Sequence, residues 1–296
     1  MSVPRIAGLI DGQMMALSDR HAAVLLAQAM PGEAVPQAAQ PERFVIQRGI
    51  AVVPVRGMLT PNSVLLEYYL GWTTYLGLAE TLRELTANAD VAAIVLDVDS
   101  PGGFVVGLEG AAEAVRRAAK AKPVHALASP LAASAAYWLA CQARDLTVTP
   151  GGVVGSIGIA LSASASVAPG TNGRQQVDMT STNARAKRPD PMTDEGRAEL
   201  QRYLDAGEAQ FHAAVAAGRK IPLADLPGRL SVTDDPRDGG AVFSPEEAVA
   251  RGLADRVETR DDFYIRVQGA YAPRPRAQSR AFAARARAAA ALAHCA

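Results

Sequence analysis

Cysteine, lysine and long apolar runs are all scarce in this chain, and each scarcity excludes something. The 296 residues carry two cysteines, Cys141 and Cys295. They lie far apart and neither has metal-ligand spacing around it, so a disulfide framework is excluded and a reducing compartment is expected. The opening MSVPRIAGLIDGQMM lacks an apolar core of signal-peptide length, and no apolar run reaches spanning length. The expectation is a cytoplasmic protein without its own membrane anchor. Net charge is absent too: 30 basic residues balance 30 acidic ones, which argues against wholesale nucleic-acid binding. There is neither a Walker-type loop nor a clustered His/Cys/Asp set, so no nucleotide, metal or other cofactor is expected. Only four of the basic residues are lysines (Lys120, Lys122, Lys187 and Lys220), so arginine does the ordinary surface work.

What is present is an apolar fraction of 49%, ample for a sizeable core. Residues 1–42 read as a helical appendage and linker: Ser18 and Asp19 precede HAAVLLAQAM, and PGEAVPQAAQPE follows. From Phe44 the pattern changes. FVIQRGIAVVPVRGML reads as a strand or hairpin, Thr73 to Leu85 as a helix, and VAAIVLDVD as a buried strand that ends in a loop, SPGG. A helix over 107–121, a strand PVHALAS, a helix from Ser134, short strands LTVT, SIGIAL and QQVDMT, and a helix over 194–217 follow. FSPEEAVARGLADRV gives a last capped helix and strand. This alternation predicts an α/β fold, a mainly parallel sheet with flanking helices and sites at strand carboxyl ends. The folded domain is expected over 43–267, and 268–296 reads as an Ala/Arg-rich tail.

Three features carry chemistry. Gly102 and Gly103, after the first buried strand, let backbone N–H groups approach an oxygen that gains negative charge, although glycine is also common in plain turns. Ser134 stands among small residues, AASAAYW, at a helix start. Such a serine is ordinarily a cap; here its N–H faces the same sheet edge as the glycine turn, which makes it a candidate nucleophile in need of a base. His21 and His294 lie in the appendage and tail, while His125 and His212 fall in a strand and a long helix as structural residues. A Ser-Lys pair needs a lysine that is neutral at working pH, a cost of roughly 4–5 kcal/mol met by burial and nearby positive charge. Lys120, Lys122 and Lys220 sit at helix ends. Lys187 lies in a connection, TSTNARAKRPDPMTDEGR, that could cross the site or simply be solvated.

SPGG, then ASAAYW, then GSIG at 155–158, then a lysine before a proline and an acidic helix start: in this order the motifs resemble the signal peptide peptidase A family of Ser-Lys proteases, and within it the phage head maturation branch. The resemblance covers roughly residues 44–260. It implies a ClpP/crotonase-like fold, Ser134 as nucleophile, Lys187 as general base, and Ser156 as the hydroxyl that orients the lysine. Gly102 or Gly103 and the Ser134 backbone N–H would hold the oxyanion. It further implies protein substrates (scaffold and major capsid protein), a homo-oligomer, and work in the host cytoplasm or inside an assembling procapsid. The family often has a glycine shortly before its lysine, where this chain reads Ser181-Thr182-Asn183-Ala184-Arg185-Ala186-Lys187. An extended substrate would add as a strand beside the sheet edge, and small pocket-lining residues would favour small side chains. The competing readings are a housekeeping signal-peptide-digesting protease, a crotonase-like acyl-CoA enzyme, and a non-catalytic assembly scaffold.

Overall fold

Apolar residues follow one another without alternation from Ala93 to Leu96, which suits a strand covered on both faces. That strand is the axis of the computed structural model, which describes residue 6, residues 13–28, 42–163 and 179–271, and positions 165, 168 and 175. In chain order the elements are β1 (Met14–Leu17), α1 (Asp19–Leu26), β2 (Val45–Gln47), β3 (Ile50–Leu59), α2 (Val64–Leu70), α3 (Tyr75–Ala87) and β4 (Ala93–Phe104). Next come α4 (Leu108–Ala121), β5 (Val124–Ala133), α5 (Ala135–Ala140), β6 (Asp145–Val148), β7 (Val153–Gly155) and β8 (Ala160–Leu161). The last are α6 (Asp194–Arg219), α7 (Leu226–Leu230), β9 (Val242–Phe243), α8 (Pro245–Ala250), β10 (Arg256–Val257) and α9 (Arg260–Tyr271). The linker over 31–41, residues 176–178 of the expected QQVDMT strand, His294, Cys295 and the tail beyond 271 lie outside the described residues, and 175, 179 and 180 are not in a strand.

The strands form one mixed, mainly parallel sheet. β3 runs parallel to β4 along its whole length, from the pair Ile50 and Ala93 to the pair Leu59 and Gly103. On the other side β5 pairs with β4 only as far as Ser100, opposite Ala132, while the far edge of β5 passes from β6 to β7. β1 takes over that side, antiparallel, with Leu17 opposite Gly102 and Met15 opposite Phe104. Its far edge pairs with β8.

Side chains alternate across a strand, so successive residues of β4 serve opposite layers. Ile94, Leu96 and Val98 join the main core, to which α4 contributes Leu108, Ala111, Ala112, Val115 and Ala118 at helical spacing. Val95 faces the other way and packs with Ile50, Leu127 and, from α9, Phe263 and Val267. The same face carries Asp97, which Arg260 of α9 and Arg56 of β3 both grip, at 2.6 and 2.7 Å. Local chemistry sets the helix starts: Thr74 and Thr193 accept from Gly77 and Gly196 N–H at 3.0 Å, and Ser244 forms a capping box with Glu247.

Three sequence expectations change here. Residues 14–17, assigned to an appendage, are a strand inside the sheet. SPGG, expected as a loop, continues β4, because β3 and β1 supply ladder partners on both sides of it. α9 was not anticipated; it continues past Val267 to Tyr271, into the segment expected as tail.

Candidate active site

Ser134 is the single residue between β5 and α5. Its backbone is left-handed (φ 54°, ψ −120°), a conformation that stores about 1–3 kcal/mol in a residue with a Cβ. Small neighbours make the turn possible: Ala132, Ala133, Ala135 and Ala136 are all fully buried. The Ser134 N–H donates to the Gly155 carbonyl at 2.7 Å, and the Ser134 carbonyl accepts from Trp138 N–H at 2.9 Å. Trp138 in turn stacks on Phe211 of α6, with centroids 4.5 Å apart. The serine is therefore held from both sides in a strained strand-to-helix turn, the geometry in which serine nucleophiles are presented. It is only 1% exposed, and its Oγ has no hydrogen-bond partner among the described residues. A buried unpartnered hydroxyl costs about 1–3 kcal/mol, and such a group calls for an explanation beyond packing.

Gly102 lies directly against this turn. A Cβ built there (φ 104°) would stand 3.0 Å from both Ala135 N and Ser134 Cβ, and closer still to the Ala16 carbonyl oxygen. At Gly103 a Cβ would run into the Leu59 carbonyl. Glycine is thus required at both positions by close backbone approach. The expected oxyanion donors are not all available, however. Gly102 N–H donates to Ser100 Oγ at 3.2 Å, and Ser100 Oγ donates to the Gly57 carbonyl at 2.6 Å. Ser134 N–H is committed to Gly155, whose residue pairs with Ala133 at the end of the β5–β7 ladder. Ala135 opens α5, where first-turn N–H groups have no partner within the helix, and it adjoins Gly102. Sequence reasoning missed Ala135. The rule that the residue after a serine in such a turn donates to the oxyanion could have found it.

Ser156 directly follows Gly155, whose carbonyl binds Ser134, and it is also left-handed (φ 53°). Its N–H donates to the Ala241 carbonyl at 2.6 Å. It is half-buried and lines a cavity of about 910 Å³ with Ser18, His21, Gly158, Glu208 and His212. Burial holds His212 below its ordinary value, against an opposing push from Glu208. Lys187 is placed otherwise than expected: it ends a single 3-10 turn, Arg185–Lys187, with its side chain exposed. Since Ser134 Oγ has no partner, no hydrogen bond joins the two. Among the described residues no strand pairs with the connection around Lys187; Arg185, Ala186, Lys187 and Arg188 are all exposed. The structure thus gathers Ser134, Gly102, Ala135 and the Gly155–Ser156 backbone, and leaves Lys187 outside. His125 is a buried strand residue, and its Nδ1 is hydrogen-bonded to the Asp145 carboxylate.

Comparison with known proteins adds the following. Residues 116–270 match the family model described as peptidase family S49. The chain is 32% identical over 228 residues to capsid assembly protease C of Escherichia phage lambda, an alignment that covers 75% of this chain and 49% of that protein. It is 32% identical over 224 residues to the head-tail preconnector protein GP5 of Enterobacteria phage P21, covering 74% and 42%. Protease 4 of Salmonella typhi is 30% identical over 194 residues, covering 62% and 29%. The chain therefore spans less than half the length of these relatives.

Proposed function

Because the chain belongs to peptidase family S49, we propose that it is a serine endopeptidase with Ser134 as nucleophile, and that its substrates are the scaffold and capsid proteins of an assembling phage head. The observation that carries the reading is Ser134 itself: strained, buried, unpartnered, and backed by Gly102 and the first N–H of α5. In the reaction the Ser134 Oγ attacks a peptide carbonyl carbon while a base takes its proton. The tetrahedral oxyanion forms beside Gly102–Gly103 and the Ala135 N–H, the amine leaves with the proton, and water then cleaves the acyl-enzyme.

Lys187 is the base in this proposal, with Ser156 to orient it, and the support is the order of motifs around them. Because Lys187 is exposed here, the segment that carries it has to swing toward Ser156 for catalysis. That segment leads directly into α6, which packs through Phe211 against the helix that follows Ser134. Among the described residues no helix is long and apolar enough to cross a membrane. Action in the host cytoplasm, inside a procapsid and as a homo-oligomer completes the proposal.

Ser134→Ala provides the test, with the scaffold and capsid proteins co-expressed. The expected result is a loss of cleavage on the order of 10³-fold or more with an unchanged fold. Undiminished cleavage by the variant would remove Ser134 from the mechanism. Lys187→Ala should lose activity to the same extent, with effects on kcat rather than KM.

A further inference from the structure

The chain's own strand β1 lies beside the Ser134 turn. Beyond Ser100 the two sides of β4 are closed differently. β3 stays on one side, while β5 pairs with β4 no further than Ser100 and ends at Ala133, just before Ser134. The edge this exposes, Gly102 to Phe104, pairs with Leu17, Ala16 and Met15, and the opposite edge of β1 pairs with Ala160 and Leu161 of β8. Two further backbone bonds extend the ladder, from Ser18 N–H to the Pro101 carbonyl at 2.8 Å and from Val105 N–H to the Met14 carbonyl at 3.1 Å.

The register decides what this strand does. The Ala16 carbonyl oxygen, Ser134 Cβ and Ala135 N all converge on the point where a Gly102 Cβ would be. A substrate carbonyl attacked by Ser134 has to come within about 3–3.5 Å of its Oγ, with its oxygen turned to the same backbone groups. Two carbonyls cannot occupy that place, so β1 and a substrate strand exclude each other. The side chains of β1 are seated as a substrate's would be in a groove that reads alternate positions. Met15 and Leu17 are buried against Met58, Leu66 and Trp72, while the small Ala16 turns to the main core.

We propose that β1 is a tethered occupant of the substrate groove: it inhibits this chain until it leaves, and its own Met-Ala-Leu pattern is the pattern the groove selects, a small residue at the attacked carbonyl between two apolar ones. This rests on the assignment of Ser134 as nucleophile. Departure of β1 uncovers Met58, Leu66 and Trp72 as the apolar pockets for an incoming segment of the same type.

The full-length chain is the material for the test. Leu17→Asp puts a charge into the apolar pocket and should release β1. The rate at which a fluorophosphonate labels Ser134 should rise about tenfold or more, as expected if the open form is a tenth of the population or less. A synthetic amide of residues 13–18, Gln-Met-Met-Ala-Leu-Ser, should then compete with labelling of the variant. A second measurement needs no substitution. Amides 15–17 of the unmodified chain should lose protection from hydrogen exchange when a peptide boronate ending in Met-Met-boroalanine occupies Ser134. If the boronate binds and these amides keep their protection, or if labelling is equally fast in both chains and the peptide does not compete, β1 is a structural strand and the inference is overturned. If neither probe reacts with Ser134 in any form of the chain, the assignment of Ser134 fails instead, and with it the premise.

Discussion

Gly102→Ala should be a costly methyl group to add to this protein. Two effects combine at the site. The residue sits at φ 104°, where a Cβ costs about 1–3 kcal/mol. The new methyl would also meet the Ala16 carbonyl, Ala135 N and Ser134 Cβ, of which two are backbone atoms that no rotamer change can move aside. Overpacking of this kind costs about another 1–3 kcal/mol. The expected loss is thus about 2–6 kcal/mol, a large share of the roughly 5–15 kcal/mol that holds a domain together. Gly110→Ala is the control: it lies on the exposed face of α4 with nothing within 4 Å, and there alanine should add about 0.5–1 kcal/mol. Urea unfolding followed by circular dichroism measures both, and peptide cleavage measures the site. The variant should also lose activity, because the methyl would press on Ser134 Cβ and on Ala135 N, the N–H left for the oxyanion. If Gly102→Ala unfolds at the same urea concentration as the parent and cleaves normally, Gly102 does not abut Ser134 and the site is wrongly built.

Other outcomes follow from the same structure. Asp97→Asn leaves Arg56 and Arg260 without their shared carboxylate and should destabilise the chain by about 2–4 kcal/mol, with protease sensitivity appearing first between β10 and α9. Burial alone would raise the Asp255 carboxyl, but the Arg219 guanidinium (2.8 and 2.9 Å) and the Leu146 N–H (2.7 Å) hold it below the usual carboxylate range. A lowered carboxylate contributes stability that is present above its unfolded value, about 4, and lost as pH falls through the folded one. Acid unfolding of Asp255→Asn should accordingly lose part of its pH dependence below pH 4, while a slope equal to the parent's would refute the assignment. The Cys141 thiol, fully buried, is pushed up to about 12 by burial. In a Cys295→Ser background it should resist iodoacetamide until the chain is unfolded, and prompt labelling of the native protein would contradict its placement.

The buried strands and the helices flanking them were legible because their signal is local. Continuous apolar runs mark β4 and β5, and small residues at helical spacing mark the inner side of α4. Capping serines and threonines announce the starts of α3, α6 and α8. β1 was not legible: four residues, MMAL, beside a helix cap are too short to show a period, and their partners at Gly102 and Ala160 lie far along the chain. α9 escaped for a related reason, since its docking depends on Phe263, Val267 and the ion pair to Asp97 rather than on a continuous apolar stripe.

By itself, then, the sequence determined the α/β alternation, the motif order and the residues that merit testing, because apolar period, capping and glycine spacing act over a few residues. Only the tertiary structure decided which N–H groups remain for an oxyanion. That depends on the ladders: Ser134 N–H is used by Gly155, Gly102 N–H by Ser100, and Ala135 remains at the head of its helix. It also decided that Lys187 lies in solvent and that β1 lies beside the nucleophile. The second is a consequence of where the β4–β5 pairing ends, a long-range pairing choice that no local pattern records.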